Sequence, residues 1–343
     1  MTEKERPART GWATIVGVAV GLSLLVGVLV SAFAWPAANT EPRDVPLAVA
    51  PAAAVGEVQQ RLDAAAPGAF DLVATDDAGA AREAIEDREV YGAIVLDPAG
   101  PPQVLTASAA SPVVAQVLTQ IATQLAAAES GGAAATAPVE DVVPMPVDDP
   151  RGAAFTAGAL PMVMGGLVVG IAMSSLVRGI GQQVAGALLA AAGAGAAAAA
   201  VLQSWLDSIG GSFVADAGAI ALTIAAISVT IIGLRSLIGP AGIGVAALVI
   251  FVLGNPLSGL ASAPEMLPDG WGALGQALPP GAGGSLLRST AFFDSAGAGG
   301  PALVLVCWLA AGLLLAGIGA AVASRRSEPV SDETMSPAVP AVR

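Results

Sequence analysis

Apolar residues in this chain fall into two patterns: long unbroken runs, and shorter sets at strand or helix spacing. The first run, Trp12 to Trp35, holds 24 uncharged, mostly apolar residues. At ~1.5 Å per residue it reaches ~36 Å, enough to cross a ~30 Å hydrocarbon core with some tilt. A Trp stands at each end, as in interfacial aromatic belts. Five more runs follow at about 155–177, 183–203, 215–234, 238–256 and 301–323. The run 183–203 is nearly all Ala and Gly. A flexible linker is its alternative reading, but small residues also permit close helix packing in lipid.

Between the first two runs, residues 36–153 carry the second pattern, that of an α/β domain. Val45 to Ala50 reads as a short strand, and Val55, Val58 and Leu62 follow at helical spacing. Phe70 to Thr75 reads as a second strand. Ala81, Ala84 and Ile85 share one helix face opposite Arg82, Glu83, Glu86 and Asp87. Tyr91 to Leu96 is continuous enough for a strand buried on both faces. Gln103 to Thr106 reads as a fourth strand. Val113, Val114, Val117, Leu118, Ile121 and Leu125 form an amphipathic helix. Residues 129–137 are Ala/Gly-rich and read as mobile, and 138–146 adds a last strand.

Charge then sets the topology. Lys4, Arg6 and Arg9 precede the first run; Arg178, Arg235 and the Arg325-Arg326 pair fall on the same side if six helices alternate. The positive-inside rule makes that side cytoplasmic. Losing the 183–203 span would put Arg235 and Arg325 on the wrong side. The opposite loops carry Asp207, Glu265, Asp269 and Asp294. The predicted fold class is therefore an α-helical integral membrane protein of the plasma membrane. It has six transmembrane helices, an extracytoplasmic α/β domain between helices 1 and 2, and both termini cytoplasmic. Residues 1–11 form one tail and 324–343 a disordered second one. Ala32-Phe33-Ala34 also fits a leader-peptidase site, but the run exceeds the usual ~7–15-residue leader core. Both readings put residue 36 outside.

Composition narrows the function. The net charge is −13 over 343 residues, with only 12% charged and 55% apolar. Residues 36–153 hold 17 Asp+Glu against 5 Arg, a balance of −12, so the acidity belongs to one domain. Nothing basic is large enough to follow a nucleic-acid backbone. There is no His, and the single Cys, Cys307, lies in an apolar run, which removes imidazole chemistry and intrachain disulfides. The only Lys is Lys4, so no Walker A motif is possible and the chain cannot be its own P-loop ATPase. Asp76-Asp77 and Asp148-Asp149 lie in turns without a nucleophile or base nearby and read as solvated turn and cap residues. The chain is read as a non-enzyme, with no cofactor or metal.

Two segments are candidates for function. The connection from 254 to 300 runs through Gly254-Asn255-Pro256, Ala263-Pro264-Glu265-Met266-Leu267-Pro268 and Leu278-Pro279-Pro280-Gly281, then Leu286 to Phe293 as a short interfacial helix. Proline and glycine at membrane depth free backbone groups that must be buried in protein or line a wet cavity. It reads as a re-entrant or interfacial element capping the outer end of the bundle, with a plain surface loop as the alternative. The inner turn Val177-Arg178-Gly179-Ile180-Gly181-Gln182-Gln183 is either a docking point for a cytoplasmic partner or a minimal polar turn. No ionisable residue lies near the middle of any span, which disfavours an ion-coupled carrier. Asp216 sits at one end of the fourth span. Ser174, Ser175, Thr223, Ser228 and Thr230 read as helix-contact residues.

The architecture of one helix, a large external domain and five helices resembles the type-2 ABC exporter permeases, and most of all the actinobacterial YhgE/Pip-like group. The stretches carrying the resemblance are Ala84 to Val95, Asp149-Pro150-Arg151-Gly152, and the run from Gly254-Asn255-Pro256 through Glu265-Met266-Leu267-Pro268 to Leu287-Arg288-Ser289. It implies a homo- or heterodimer of permeases served by a separate cytoplasmic ATPase that holds the ATP. It implies that Arg178, Gly179, Gln182 and Gln183 form the ATPase-coupling turn. It implies an outer gate carrying Asn255, Pro256, Pro264, Glu265, Pro268 and Arg288. The eleven residues before Trp12 are shorter than the amphipathic helix many such permeases lay on the inner surface. The expected function is the permease subunit of an ABC-type exporter of unknown substrate. The alternative is a non-transporting membrane protein whose external domain binds a ligand, envelope component or phage.

Overall fold

The computed structural model describes residues 11–96, 102–129 and 138–326. Most of both tails and of the 129–137 segment lies outside these described residues. Six helices are long and apolar enough to cross a membrane. They are α1 (Trp12–Ala38), α5 (Ala153–Leu176), α6 (Ile180–Trp205), α7 (Phe213–Ile238), α8 (Pro240–Leu257) and α11 (Gly299–Arg326). Their ends lie within four residues of the predicted runs.

Between α1 and α5 lies a five-stranded sheet with the order β2-β1-β3-β4-β5. The strands are β1 (Val45–Ala50), β2 (Phe70–Ala74), β3 (Gly92–Val95), β4 (Gln103–Thr106) and β5 (Val139–Asp141). Only β3 and β4 pair antiparallel. Alternation along β1 divides the core in two. Val45, Leu47 and Val49 pack with Ile94, Val104, α2 (Val55–Ala65) and α4 (Pro112–Glu129). Ala48 and Ala50 face Ala81, Ala84 and Ile85 of α3 (Ala78–Glu86). Asp77 caps α3 by accepting a hydrogen bond from the Ala80 N–H at 2.9 Å.

In the helical bundle α7 is the hub: most of its length is buried, whereas α1 is exposed along nearly all of its own. Close approach to α7 explains the small residues of α6. A side chain at Gly195 would come 2.4 Å from the Ala217 carbonyl, so the Ala/Gly run is a packed helix and not a linker. Asp149 starts α5. Its Oδ1 accepts from Ala153 N–H at 2.7 Å, and its Oδ2 accepts from Ala154 and Phe155 N–H at 2.9 and 3.1 Å. It is a cap as read from the sequence, but buried instead of solvated.

After α8 the chain turns back as a cap: a short 3₁₀ turn Pro264–Met266, then α9 (Trp271–Gln276) and α10 (Pro279–Phe292). The helix expected from Leu286 begins seven residues earlier, since Pro279-Pro280 supplies a preset first turn. It is buried, packed on α7 and hydrogen-bonded to the sheet domain through Arg88 and Arg288. The Gly-rich first half permits this: a side chain at Gly284 would sit 1.9 Å from Leu260 Cδ2. Ala263, Met266 and Phe293 of the cap join the two sheet cores, so domain and cap share one packed interior.

Candidate functional site

The sheet domain is fastened to the cap by a polar cluster. Helix α3 ends with Arg88 N–H donating to the Ile85 carbonyl at 3.1 Å and Glu89 N–H donating to Ala84 at 2.9 Å. This bonding pattern places residue 88 in the left-handed position that glycine usually takes. Arg88 holds it at φ +60°, a cost of ~1–2 kcal/mol for a residue with a Cβ. What it gains is a reach into the cap. Its guanidinium donates to the Ser285 carbonyl at 3.1 Å and to the Ser289 hydroxyl, and lies 5.2 Å over the Phe293 ring.

Tyr91, the only tyrosine of the chain, donates its hydroxyl to Glu265 Oε2 at 2.7 Å. Burial pushes the phenol up from its ordinary range, and the Glu265 carboxylate adds to the shift. Arg288 of α10 is 5% exposed. It donates to the Ala110 carbonyl of the sheet domain and to the Leu260 carbonyl of the cap (3.1 Å), and stacks 5.0 Å over Phe155 at the start of α5. Burial lowers its guanidinium to about 10, and lowers Arg88 as well. Backbone bonds complete the fastening: Glu41 N–H to the Met266 carbonyl at 3.1 Å and Arg43 N–H to Glu265 at 3.0 Å.

Beside the cluster opens a cleft of about 590 Å³ between domain and cap. Its wall carries Arg43 and Arg88 against Asp44, Glu89, Glu265 and Asp269. Gln276, at its base, donates to the Ser258 carbonyl at 2.8 Å and accepts from the Ser285 hydroxyl at 2.7 Å, joining α9 to α10. Such an arrangement can hold a polar ligand and can transmit force between the domain and the bundle.

Of the residues expected at an outer gate, Glu265 and Arg288 lie in the fastening and Pro264 and Pro268 line the cleft. Asn255 and Pro256 sit apart at the end of α8, where the Asn255 carbonyl accepts from the Ser258 hydroxyl at 2.7 Å. The expected coupling residues occupy the opposite end of the bundle. Arg178 and Gln182 are exposed there. Gly179 turns the chain at φ +86°, and Gln183 donates to the Val177 carbonyl at 2.8 Å, closing the turn. Arg43, Arg88 and Tyr91 were not singled out from the sequence. A charged residue where a helix end favours glycine was the available signal. No family model, curated protein or solved structure matches the chain.

Proposed function

We propose that this chain is the membrane-embedded permease subunit of an ABC-type exporter, driven by a separately encoded ATPase. The supporting observation is the contrast between the ends of the bundle. One end is closed by a buried helical cap locked to a folded domain. At the other, among the described residues, the helices are joined by the three-residue turn 177–179 and by Gly239. In this reading the sheet domain and cap are extracytoplasmic and both termini cytoplasmic, in the plasma membrane. The bare turn with exposed Arg178 and Gln182 receives the ATPase. A second permease copy lies against α1, whose span is largely exposed and meets the rest of the described chain at pairs such as Phe33–Phe251 and Trp35–Trp271. The domain and cap then move as one body when the bundle switches, as in rigid-body transitions.

One observation favours the alternative, a non-transporting protein that binds a ligand outside: the open, charge-lined cleft at the domain–cap junction. Purification of the tagged protein from its own cells in mild detergent separates the two. The exporter reading expects a copurifying nucleotide-hydrolysing subunit whose activity is lost from the complex in Arg178→Glu. Purification without any such subunit, with the external domain binding a partner, would favour the alternative.

A further inference from the structure

Asp216 is the one charged side chain in the structure, among the described residues, that is wholly enclosed and has no partner. It stands in the first turn of α7 at 0% exposure, and neither carboxylate oxygen accepts a hydrogen bond. Its backbone N–H is spent on the Ser212 carbonyl at 3.0 Å. The Thr290 side chain of α10 lies alongside, but its hydroxyl donates to the Leu287 carbonyl at 3.1 Å. In this part of the bundle Ile220 of the same helix, Leu202 and Ile209, and Leu287 and Ala291 of α10 belong to one buried apolar cluster. A bare carboxylate in such a place costs far more than a neutral group of the same shape. Asparagine would fill the space without a charge and could donate to Thr290, so an acid here needs its own explanation.

No fixed cation supplies it. Helices α5, α6 and α8 carry no charged residue. Arg288, the only charged residue of α10, is turned to Ala110 and Leu260. Arg235 lies in the last turn of α7, bonded to Ser174 and Ser175; Arg325 belongs to the far end of α11, and Asp207 and Arg151 are exposed. The cation must therefore be mobile. We propose that Asp216 is a proton-binding site sealed by α10: the closed bundle holds the carboxyl with its proton, which then has Thr290 Oγ1 as an acceptor. The seal is tight, since a side chain on the adjacent Gly211 would stand 2.3 Å from the Thr290 carbonyl. The proton enters or leaves, to or from water, only when α10 moves off the α6–α7 connection. Protonation and cap movement are thereby linked, whether or not an ATPase drives the bundle.

Infrared spectroscopy of the full-length protein in detergent at neutral pH tests this. The wild type should show a carboxylic-acid carbonyl band that is absent from Asp216→Asn, with the rest of the spectrum unchanged. Should that variant fail to fold, carbon-13 labelling of aspartate in the wild type must shift the same band. Spectra lacking an aspartic-acid band would overturn the proposal. So would a melting temperature that rises with sodium chloride but not choline chloride in the wild type and not in Asp216→Asn, which would make the cation sodium.

Discussion

At the sheet-domain end of the bundle, the chain leaving α8 runs through more than forty residues before α11 begins. Arg288 bridges the domain and the cap, Arg88 accepts a strained backbone to reach Ser285 and Ser289, and Tyr91 meets Glu265. At the other end the chain turns on Val177–Gly179 and on Gly239 alone. There Arg235 donates to the hydroxyls of Ser174 and Ser175, while Arg178 stays exposed. The first end is built to be self-sufficient. Among the described residues, the second leaves Arg178 and Gln182 facing out.

The contrast can be broken most severely at Arg288. Arg288→Ala removes two charge-assisted bonds to buried carbonyls and the stack on Phe155, and should lower stability by roughly 3 kcal/mol or more. The matching cut at the bare end, Gln183→Ala, removes one neutral bond and should cost about 1 kcal/mol. Apparent melting temperatures of the two purified variants check the order. Equal shifts would mean that the two ends are equally self-supporting.

Arg88 sharpens the comparison at smaller scale. Arg88→Ala loses the bonds to Ser285 and Ser289 yet keeps the left-handed strain; Arg88→Gly loses the same bonds and relieves it. Arg88→Gly should therefore be about 1 kcal/mol more stable than Arg88→Ala. Both should speed proteolysis between domain and cap. If the two variants melt alike, the strain is not real.

The smallest effect belongs to a place that serves neither end. Glu140 on β5 is held below the ordinary carboxylate range by hydrogen bonds from Arg82 at 2.7 and 2.9 Å, with Gln103 adding a third. A carboxylate with a depressed midpoint stabilises the fold above its unfolded pKa and loses that contribution as pH falls through the folded one. In Arg82→Gln the Glu140 midpoint should move up toward the usual range, with only a slight loss of stability at neutral pH because the pair is exposed. A carboxylate-resolved pH titration measures it.

The spans were legible because hydrophobic length is a local property and the arginines punctuate it. The strands of the sheet domain were legible for the same reason: Val45, Leu47 and Val49 alternate with small residues along a single segment. The helix through Arg288 was cut short in the sequence reading because Gly281 to Gly284 depress helix propensity. Tertiary burial against Leu260 and Thr223 overrides that penalty. Arg88 was hidden for a related reason. Its partners 197 and 201 residues away are met only once the sheet docks on the cap. Asp216 was visible as an acid at a span's end, but its isolation is a property of α6, α7 and α10 together.

The central claim is that the bare end receives a driving subunit. A photo-crosslinking residue placed at Gln182 in the intact protein, irradiated in native membranes, tests it most directly. The account predicts a covalent adduct to a nucleotide-binding ATPase from position 182, and none from a control position on the sheet domain such as Asp77. Adducts from position 77 only, or adducts from 182 to lipid alone, would contradict it.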